Sequence, residues 1–395
     1  MIVEGVGGGG TFAMNQAVHE LLKRGGAQPT VAYPGTLDGA APQGRVRRLF
    51  ARLTALPTVQ RGVQAGMTVM AFPVFPGRSA DLRNRWFARR LRPHLRAYDE
   101  FVFSNPTVPR VLRHLADRVP ALCWVCTTVR DELESQLAGG DLAAARQLRD
   151  ASWPAREAQE RQSFLAASLV LAASDHTAAC VRAFAPGANV RTLPLPVDTA
   201  VYAPRGGAQH DGPPALLFVA ARLNDPRKNA PLLFQAFAQV RREADASLWV
   251  VGGEPAPDLV DLCAALGIAD RVRFLGRLPR HTDLAPWYRR ATLLVVASRQ
   301  EGYGFPVSEA MACGLPVVST RCGGPETALA ESGAGVLTGQ DADSLAAAIL
   351  DLLADPRRRA AMAQAGVAYA RAHLSFEAVG PRFDAARAAV FGRPA

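Results

Sequence analysis

The run Thr292-Leu293-Leu294-Val295-Val296-Ala297, followed closely by Glu301-Gly302-Tyr303-Gly304-Phe305-Pro306-Val307-Ser308-Glu309, decides how the chain is read. The apolar run reads as a buried parallel strand, and Ala310-Met311-Ala312 beyond the loop are good helix formers. The segment is therefore a strand, a glycine loop and a helix N-terminus. Two glycines allow close backbone approach to a ligand, and Pro306 suits the first helical turn, where its missing N–H costs nothing. The free N–H groups and the positive dipole end there favour an anion. Glu301 and Glu309 bracket that site. Carboxylates repel a phosphate, so they suit neutral hydroxyls, a sugar on one side and a ribose on the other. The plain alternative is an acidic first helical turn beside a strand-end glutamate, and a Glu-x7-Glu spacing alone does not separate the two.

Outward from this stretch, strand-like runs alternate with helical patterns along the whole chain, which predicts an α/β fold with parallel sheets. In the first half strands are expected near 30–33, 68–73, 100–104, 121–126, 167–173 and 189–194, with a long helical stretch over 140–164. A glycine- and proline-rich run over 204–214 is the best linker. A second strand–helix series starts at Leu216-Leu217-Phe218-Val219 and continues through Leu248–Val251, Val272–Phe274, the 292–297 strand and Val317–Ser319, after which helices close the chain. Two domains follow, over 1–198 and 215–375, joined by 199–214, as expected for a chain of 395 residues.

Composition narrows the function. An apolar content of 49% is that of a globular protein. No apolar run approaches the ~20 residues of a membrane span, and the N-terminus lacks a basic region followed by an apolar one, so a cytoplasmic protein is expected. Cys123 and Cys126 form a C-x-x-C inside an apolar strand-like run, where i and i+3 point to opposite faces, and no second pair stands at zinc spacing. Buried reduced thiols are the better reading. The net charge of +10 is almost wholly arginine, because Lys23 and Lys228 are the only lysines. The charge alone would suit nucleic acid, but no aromatic–basic module supports it, and no nucleic-acid partner is expected.

Gly5, Gly7 and Gly10 formally satisfy G-x-G-x-x-G. The strand before them could only be Ile2-Val3, and no carboxylate follows at ~20 residues, so a nicotinamide or flavin is not implied. Two segments are basic and amphipathic. Over 45–53, Val46, Leu49, Phe50 and Leu53 share a face beside Arg45, Arg47, Arg48 and Arg52. Over 82–96, Leu82, Trp86, Phe87, Leu91 and Leu95 accompany Arg83, Arg85, Arg89, Arg90, Arg92 and Arg96. Such helices can lie on an anionic membrane at its inner face. The alternative is that the apolar stripe faces the domain's own core while the arginines are solvated.

The segment Val219-Ala220-Ala221-Arg222-Leu223-Asn224-Asp225-Pro226-Arg227-Lys228-Asn229 is a strand end, a turn and a helix opening. Arg222 and Lys228 there suit a diphosphate at the carboxyl edge of a parallel sheet. Arginine grips two oxygens in a fork, and lysine acts as a mobile point charge.

In order along the chain stand Ala221-Arg222-Leu223 with Lys228, Val250-Val251-Gly252-Gly253, Val272 to Gly276, Glu301 to Ala310, Gly314-Leu315-Pro316-Val317-Val318, Cys322 to Glu326 and Gly333 to Leu337. Before the linker, Leu171 to Ser174 and Pro194 to Asp198 continue the set. Together, over roughly 165–376, they resemble the retaining glycosyltransferases of the GT-B fold, family 4. The resemblance implies two Rossmann-like domains facing each other across a cleft, with the final helix, from Phe376, packing back on the N-terminal domain. It implies that Arg222 and Lys228 bind the diphosphate, that Glu309 holds the ribose and that Glu301 contacts the transferred sugar. Backbone N–H groups of Tyr303, Gly304 and Phe305, next to Gly302, would face sugar and phosphate. Gly276, Arg277 and Leu278 would meet the base edge, and Gly9 and Gly10 would close from the N-terminal domain.

The family often carries a histidine after an N-terminal strand. This chain has Thr127, Thr128 and Asp131 in that region, and His176 is expected to belong to a helix-capping region. The implied reaction is transfer from a nucleotide diphosphate sugar with retention, needing no cofactor beyond that co-substrate. No Asp-x-Asp stands in the expected place, so no metal is expected. The acceptor is not legible. A sugar-nucleotide epimerase or a non-catalytic sugar-nucleotide-binding relative are the rival readings.

Overall fold

The computed structural model describes residues 1, 10–34, 59–64, 67–72, 80–104, 110–115, 119–140, 145, 146, 148, 150, 153–204, 212–278 and 281–392. Gly9, the segment 45–53, the side chains of Leu82 and Arg83, and most of the linker lie outside that description. Among the described residues, seven strands form the first half: β1 Val31–Pro34, β2 Gln60–Gln64, β3 Met67–Phe72, β4 Val102–Ser104, β5 Leu122–Val125, β6 Leu169–Ala172 and β7 Val190–Thr192. Six form the second: β8 Ala215–Ala220, β9 Ser247–Gly252, β10 Val272–Gly276, β11 Leu293–Val296, β12 Val317–Thr320 and β13 Gly335–Thr338.

The second half is one parallel sheet in the order β10-β9-β8-β11-β12-β13. Strand periodicity divides its apolar residues between two cores. Leu216, Phe218, Leu248, Val250, Leu293 and Val295 enter one, while Leu217, Trp249, Val251, Leu294 and Val296 enter the other. Helices on both faces cover these rows, as a sheet buried on both sides requires. Strand β13, an edge strand with half-buried residues, extends the sheet beyond the strands expected from sequence.

The first half carries sheets ordered β1-β3-β2 and β4-β5-β6-β7. The second of these is parallel throughout, as expected, while β2, a strand not expected from sequence, runs antiparallel to β3. Gln60-Arg61-Gly62-Val63-Gln64 has no apolar run to announce a strand, and Val63 is 73% exposed, as an edge permits. Within the expected helical stretch 140–164 the described residues 145, 146, 148 and 153–164 are helical, with a bend at Asp150 between them. Val129–Ala138 ends at Gly139-Gly140, with Gly140 at φ +82°, and a separate helix runs over Trp153–Ala166. Cys123 and Cys126 fall in opposite cores, as their spacing on β5 and its end requires, and all six cysteines are free.

Two chain crossings join the halves side by side: Val197 N–H donates to Leu374 O at 2.8 Å. Beyond the second crossing the helix Phe376–Phe391 lies on the N-terminal core, where Phe383 stacks on Trp124 at 5.1 Å between ring centres. Full burial of a Phe of this kind stabilises by about 1.5–3 kcal/mol. Arg387 Nε, paired with Glu100 at 2.7 Å, fixes the helix end.

The basic stretch 82–96 is the helix Ala80–Leu91 followed by a tighter turn over Arg92–Ala97. Phe87, Leu91 and Leu95 pack into the N-terminal core, whereas Arg85, Arg89, Arg92 and Arg96 are exposed. These apolar side chains therefore face inward while the four arginines face outward. Among the described residues no helix is long and apolar enough to cross a membrane.

Candidate functional site

Strands β8 and β11 are neighbours, and the chain winds outward from them in both directions, to β9 and β10 on one side and to β12 and β13 on the other. The crevice beyond the carboxyl ends at such a switch point is where open α/β sheets receive ligands. The residues after β8 and β11 meet there. Lys228 Nζ donates to Glu301 Oε1 at 2.6 Å, and Ser298 Oγ donates to the same oxygen at 2.6 Å. These side chains are 19% and 12% exposed for Lys228 and Glu301, so the pair is sheltered yet reachable. Arg222 stands at the rim, 70% exposed, 3.3 Å from Asp225. Arg277 donates to Ala221 O at 3.3 Å, which places Gly276, Arg277 and Leu278 beside Arg222. Gly276 adopts φ +71°, a left-handed turn that disfavours a side chain.

The glycine loop enters the helix Phe305–Cys313 through Gly304 at φ +86°, and no side chain caps that helix. An uncapped first turn points its dipole end to whatever lies beyond it, although here Pro306 has no N–H and Val307 N–H already donates to Gly304 O at 2.8 Å. The close approach that Gly302 allows is to the N-terminal domain: a Cβ there would sit 2.0 Å from Cys126 O. Its carbonyl accepts from Ser174 Oγ at 2.7 Å and Thr177 Oγ1 at 3.0 Å. The Tyr303 side chain enters the N-terminal core and donates to Leu195 O, with Phe305 edge-to-face against it at 5.1 Å. Gly10 begins the helix Gly10–Arg24.

Glu309, one turn into the helix, is 7% exposed. Burial pushes its carboxyl up to about 7, against the opposing hydrogen bonds of Tyr288 and Tyr202. Tyr288 donates at 2.7 Å. The glutamate thus lies on the core side of the loop, against the two tyrosines.

A second group of polar residues, which sequence did not assemble, closes the junction. Gln300 Nε2 donates to Asp131 Oδ2 at 2.7 Å and to Thr127 Oγ1 at 3.1 Å, one residue from Glu301. Arg227, 14% exposed beside Lys228, reaches Glu132 of the N-terminal domain at 3.2 Å and Asp225 at 2.9 Å. Burial alone would raise Asp225, but Arg227 holds it below the usual carboxylate range. His176 lies in the expected capping region, where Ser174 caps the helix Asp175–Phe184, and its Nε2 also lies 3.1 Å from Asp131 Oδ2. The Asp131 bond, then that of Cys180, raises His176 to about 10, so the ring is an imidazolium at neutral pH. Burial opposes ionisation of Asp131, yet His176 and Gln300 keep it below its ordinary value. No local pattern marks Gln300 or Arg227; their adjacency to Glu301 and Lys228 is the only signal. Asp131, His176 and Cys180 also bring three metal-ligating atoms within 4.8 Å of one another. Asp131 Oδ2 there already accepts from Gln300, Thr127 and His176.

The model of the family "Glycosyl transferases group 1" matches residues 213–355, which contain the whole β8–β13 sheet. A GDP-mannose-dependent alpha-(1-6)-phosphatidylinositol monomannoside mannosyltransferase of Mycolicibacterium smegmatis is 37% identical over 201 residues, 47% of this chain and 52% of that protein. A D-inositol 3-phosphate glycosyltransferase of Frankia alni is 39% identical over 195 residues, 46% of this chain and 47% of that protein. The chain thus spans about half the length of these curated relatives. Sucrose-phosphate synthase of Thermosynechococcus elongatus superposes over 99% of this chain and 98% of its own, with a TM-score of 0.77 at 20% identity. WaaG, a glycosyltransferase involved in lipopolysaccharide biosynthesis, does so over 100% of both chains at 0.70 and 16%. Anabaena HepE in complex with UDP covers 98% of both at 0.70 and 17%. Residues 213–355 therefore carry the domain described as glycosyl transferases group 1, and the chain as a whole has the GT-B fold.

Proposed function

We propose that this protein transfers a sugar from a nucleotide diphosphate sugar to an acceptor hydroxyl with retention at the anomeric carbon. The observation that carries the reading is the meeting of Lys228 with Glu301 at the β8/β11 switch point, beside an uncapped helix N-terminus. The relatives' names speak of GDP-mannose, and neighbours of the same fold were solved with UDP or UDP-glucose, so a GDP- or UDP-activated hexose is the donor class.

As the glycosidic bond to phosphate breaks, charge grows on the diphosphate. Lys228, Arg222 and the helix N-terminus at Phe305 stabilise that charge more in the transition state than in the ground state. Lys228 exchanges its Glu301 partner for phosphate oxygens, which frees Glu301 for sugar hydroxyls. Glu309 takes the ribose. The departing phosphate oxygen accepts the acceptor's proton on the face it leaves, so no protein nucleophile is required. These protein cations and dipoles replace a divalent ion, and turnover is expected to persist in a chelator. Gly302, held by Ser174 and Thr177, and Gln300, held by Thr127 and Asp131, close the two domains on the donor.

Donor turnover with GDP-mannose and UDP-glucose, in wild type and Lys228→Ala, tests the reading. Wild type turning over one of them, and a variant reduced by about 10²–10³-fold, supports it. Full activity in the variant sinks the site assignment. Charge on Arg85, Arg89, Arg92 and Arg96 supports peripheral attraction to anionic lipid, without insertion of the inward-facing stripe.

A further inference from the structure

Glu309 is met from the core side by tyrosines on two different elements. Tyr288, near the end of the helix His281–Arg290, donates to Glu309 Oε2 at 2.7 Å. Tyr202 belongs to the segment that joins the two domains and hydrogen-bonds the same carboxylate. The two phenol rings meet edge to face at 5.9 Å, in the same apolar core. Arg289 fastens the joining segment by donating to Ala203 O at 2.9 Å and Val201 O at 2.5 Å. Both phenols are therefore held before any ligand arrives.

A carboxylate offers about four lone-pair sites. Two hydroxyl donors from one side occupy about half of them and stop rotation of the carboxylate plane. Those that remain suit a pair of neighbouring hydroxyl donors, and the two free hydroxyls of a ribose are such a pair. We propose that Tyr288 and Tyr202 are positioning residues for Glu309, orienting its carboxylate towards the ribose diol of a nucleoside diphosphate and tying that contact to the domain crossover. The inference rests on the reading of Glu309 as the ribose contact. The other titratable groups around the carboxylate are Cys313, one turn further on its own helix, Tyr303 from the glycine loop, and Arg289, which acts on Cys313.

The test uses the full chain, titrated calorimetrically with GDP and with UDP and then with the 2′,3′-dideoxy form of the tighter binder, on both sides of pH about 7. Wild type is expected to prefer the ribose form by about tenfold or more above that pH, and to lose the preference below it as Glu309 protonates. Tyr288→Phe and Tyr202→Phe, each checked by circular dichroism, are expected to cut the preference by about three- to tenfold. They also move the pH at which it disappears upward, because each hydroxyl favours the ionised carboxylate. Unchanged preference and unchanged midpoint in both variants overturn the positioning role. If Glu309→Gln abolishes a preference that both phenylalanine variants keep, that role alone is overturned. If wild type binds both nucleotide forms equally, the ribose reading itself fails and the proposal falls with it.

Discussion

The C-terminal sheet and the N-terminal sheets are built from the same strand-and-helix units, yet their polar residues are held in different ways. In the C-terminal half, Lys228 and Glu301 hang from the ends of adjacent strands and meet within their own domain. In the N-terminal half, Thr127, Asp131, Ser174 and Thr177 acquire their partners across the junction, from Gln300 and the Gly302 carbonyl. The first arrangement is a property of one fold unit. The second exists only while two units are docked. A group of the first kind persists if the domains part, whereas one of the second kind does not.

The sharpest way to break this contrast is Lys228→Ala, which strips the C-terminal site of charge and leaves Glu301 sheltered without its cation. A loss of about 10²–10³-fold in kcat is expected in a steady-state donor assay. Gly302→Ala attacks the junction instead. Its Cβ would meet Cys126 O at 2.0 Å, so the halves must separate locally. Activity should fall by about 10²-fold, while nucleotide binding measured by calorimetry stays within a few-fold. Equal losses in both assays would mean that the two regions are one site.

Gln300→Leu is milder. It removes the amide that Asp131 and Thr127 share across the junction, each such hydrogen bond being worth about 0.5–1.5 kcal/mol. A rise of several-fold in the apparent KM of the acceptor, with donor KM unchanged, is the expected split.

A pH series separates Glu309 from the rest. Its folded value of about 7 lies above the ordinary 4.5, so its contribution to stability is fully present below about 4.5 and is lost as pH rises through about 7. Binding runs the other way, because hydroxyl donors need the ionised carboxylate. Donor KM should therefore rise a few-fold as pH falls below about 7 while the melting temperature does not fall on this group's account. The smallest effect is reserved for the exposed arginines. Reversing Arg85, Arg89 and Arg96 to Glu should leave soluble turnover unchanged and weaken salt-sensitive binding to anionic vesicles by about 1 kcal/mol per residue.

Much of the C-terminal half was legible because buried parallel strands are continuous apolar runs and their ends carry the site residues within a few positions. Arg222, Lys228 and Glu301 could be read that way. Strand β2 could not, since an edge strand needs apolar residues on at most one side. Gln300 and Arg227 looked like ordinary loop residues until a second domain stood opposite them. Gly302 was read as a place for a ligand, but the backbone pressed against it is Cys126.

Sequence by itself determined the α/β alternation, the apolar rows of the two cores of the C-terminal sheet, the helix N-terminus at Phe305 and the cations beyond β8. All of these follow from local spacing and short-range backbone chemistry. Tertiary structure decided that Tyr303 plugs the opposite domain, that His176 is an imidazolium on Asp131, and that two tyrosines from separate elements hold Glu309. The physical reason is the same in each case. Burial, partner charge and close backbone contact depend on which surfaces meet, and residues such as Gln300 and Thr127, 173 positions apart in sequence, meet only when the chain has folded.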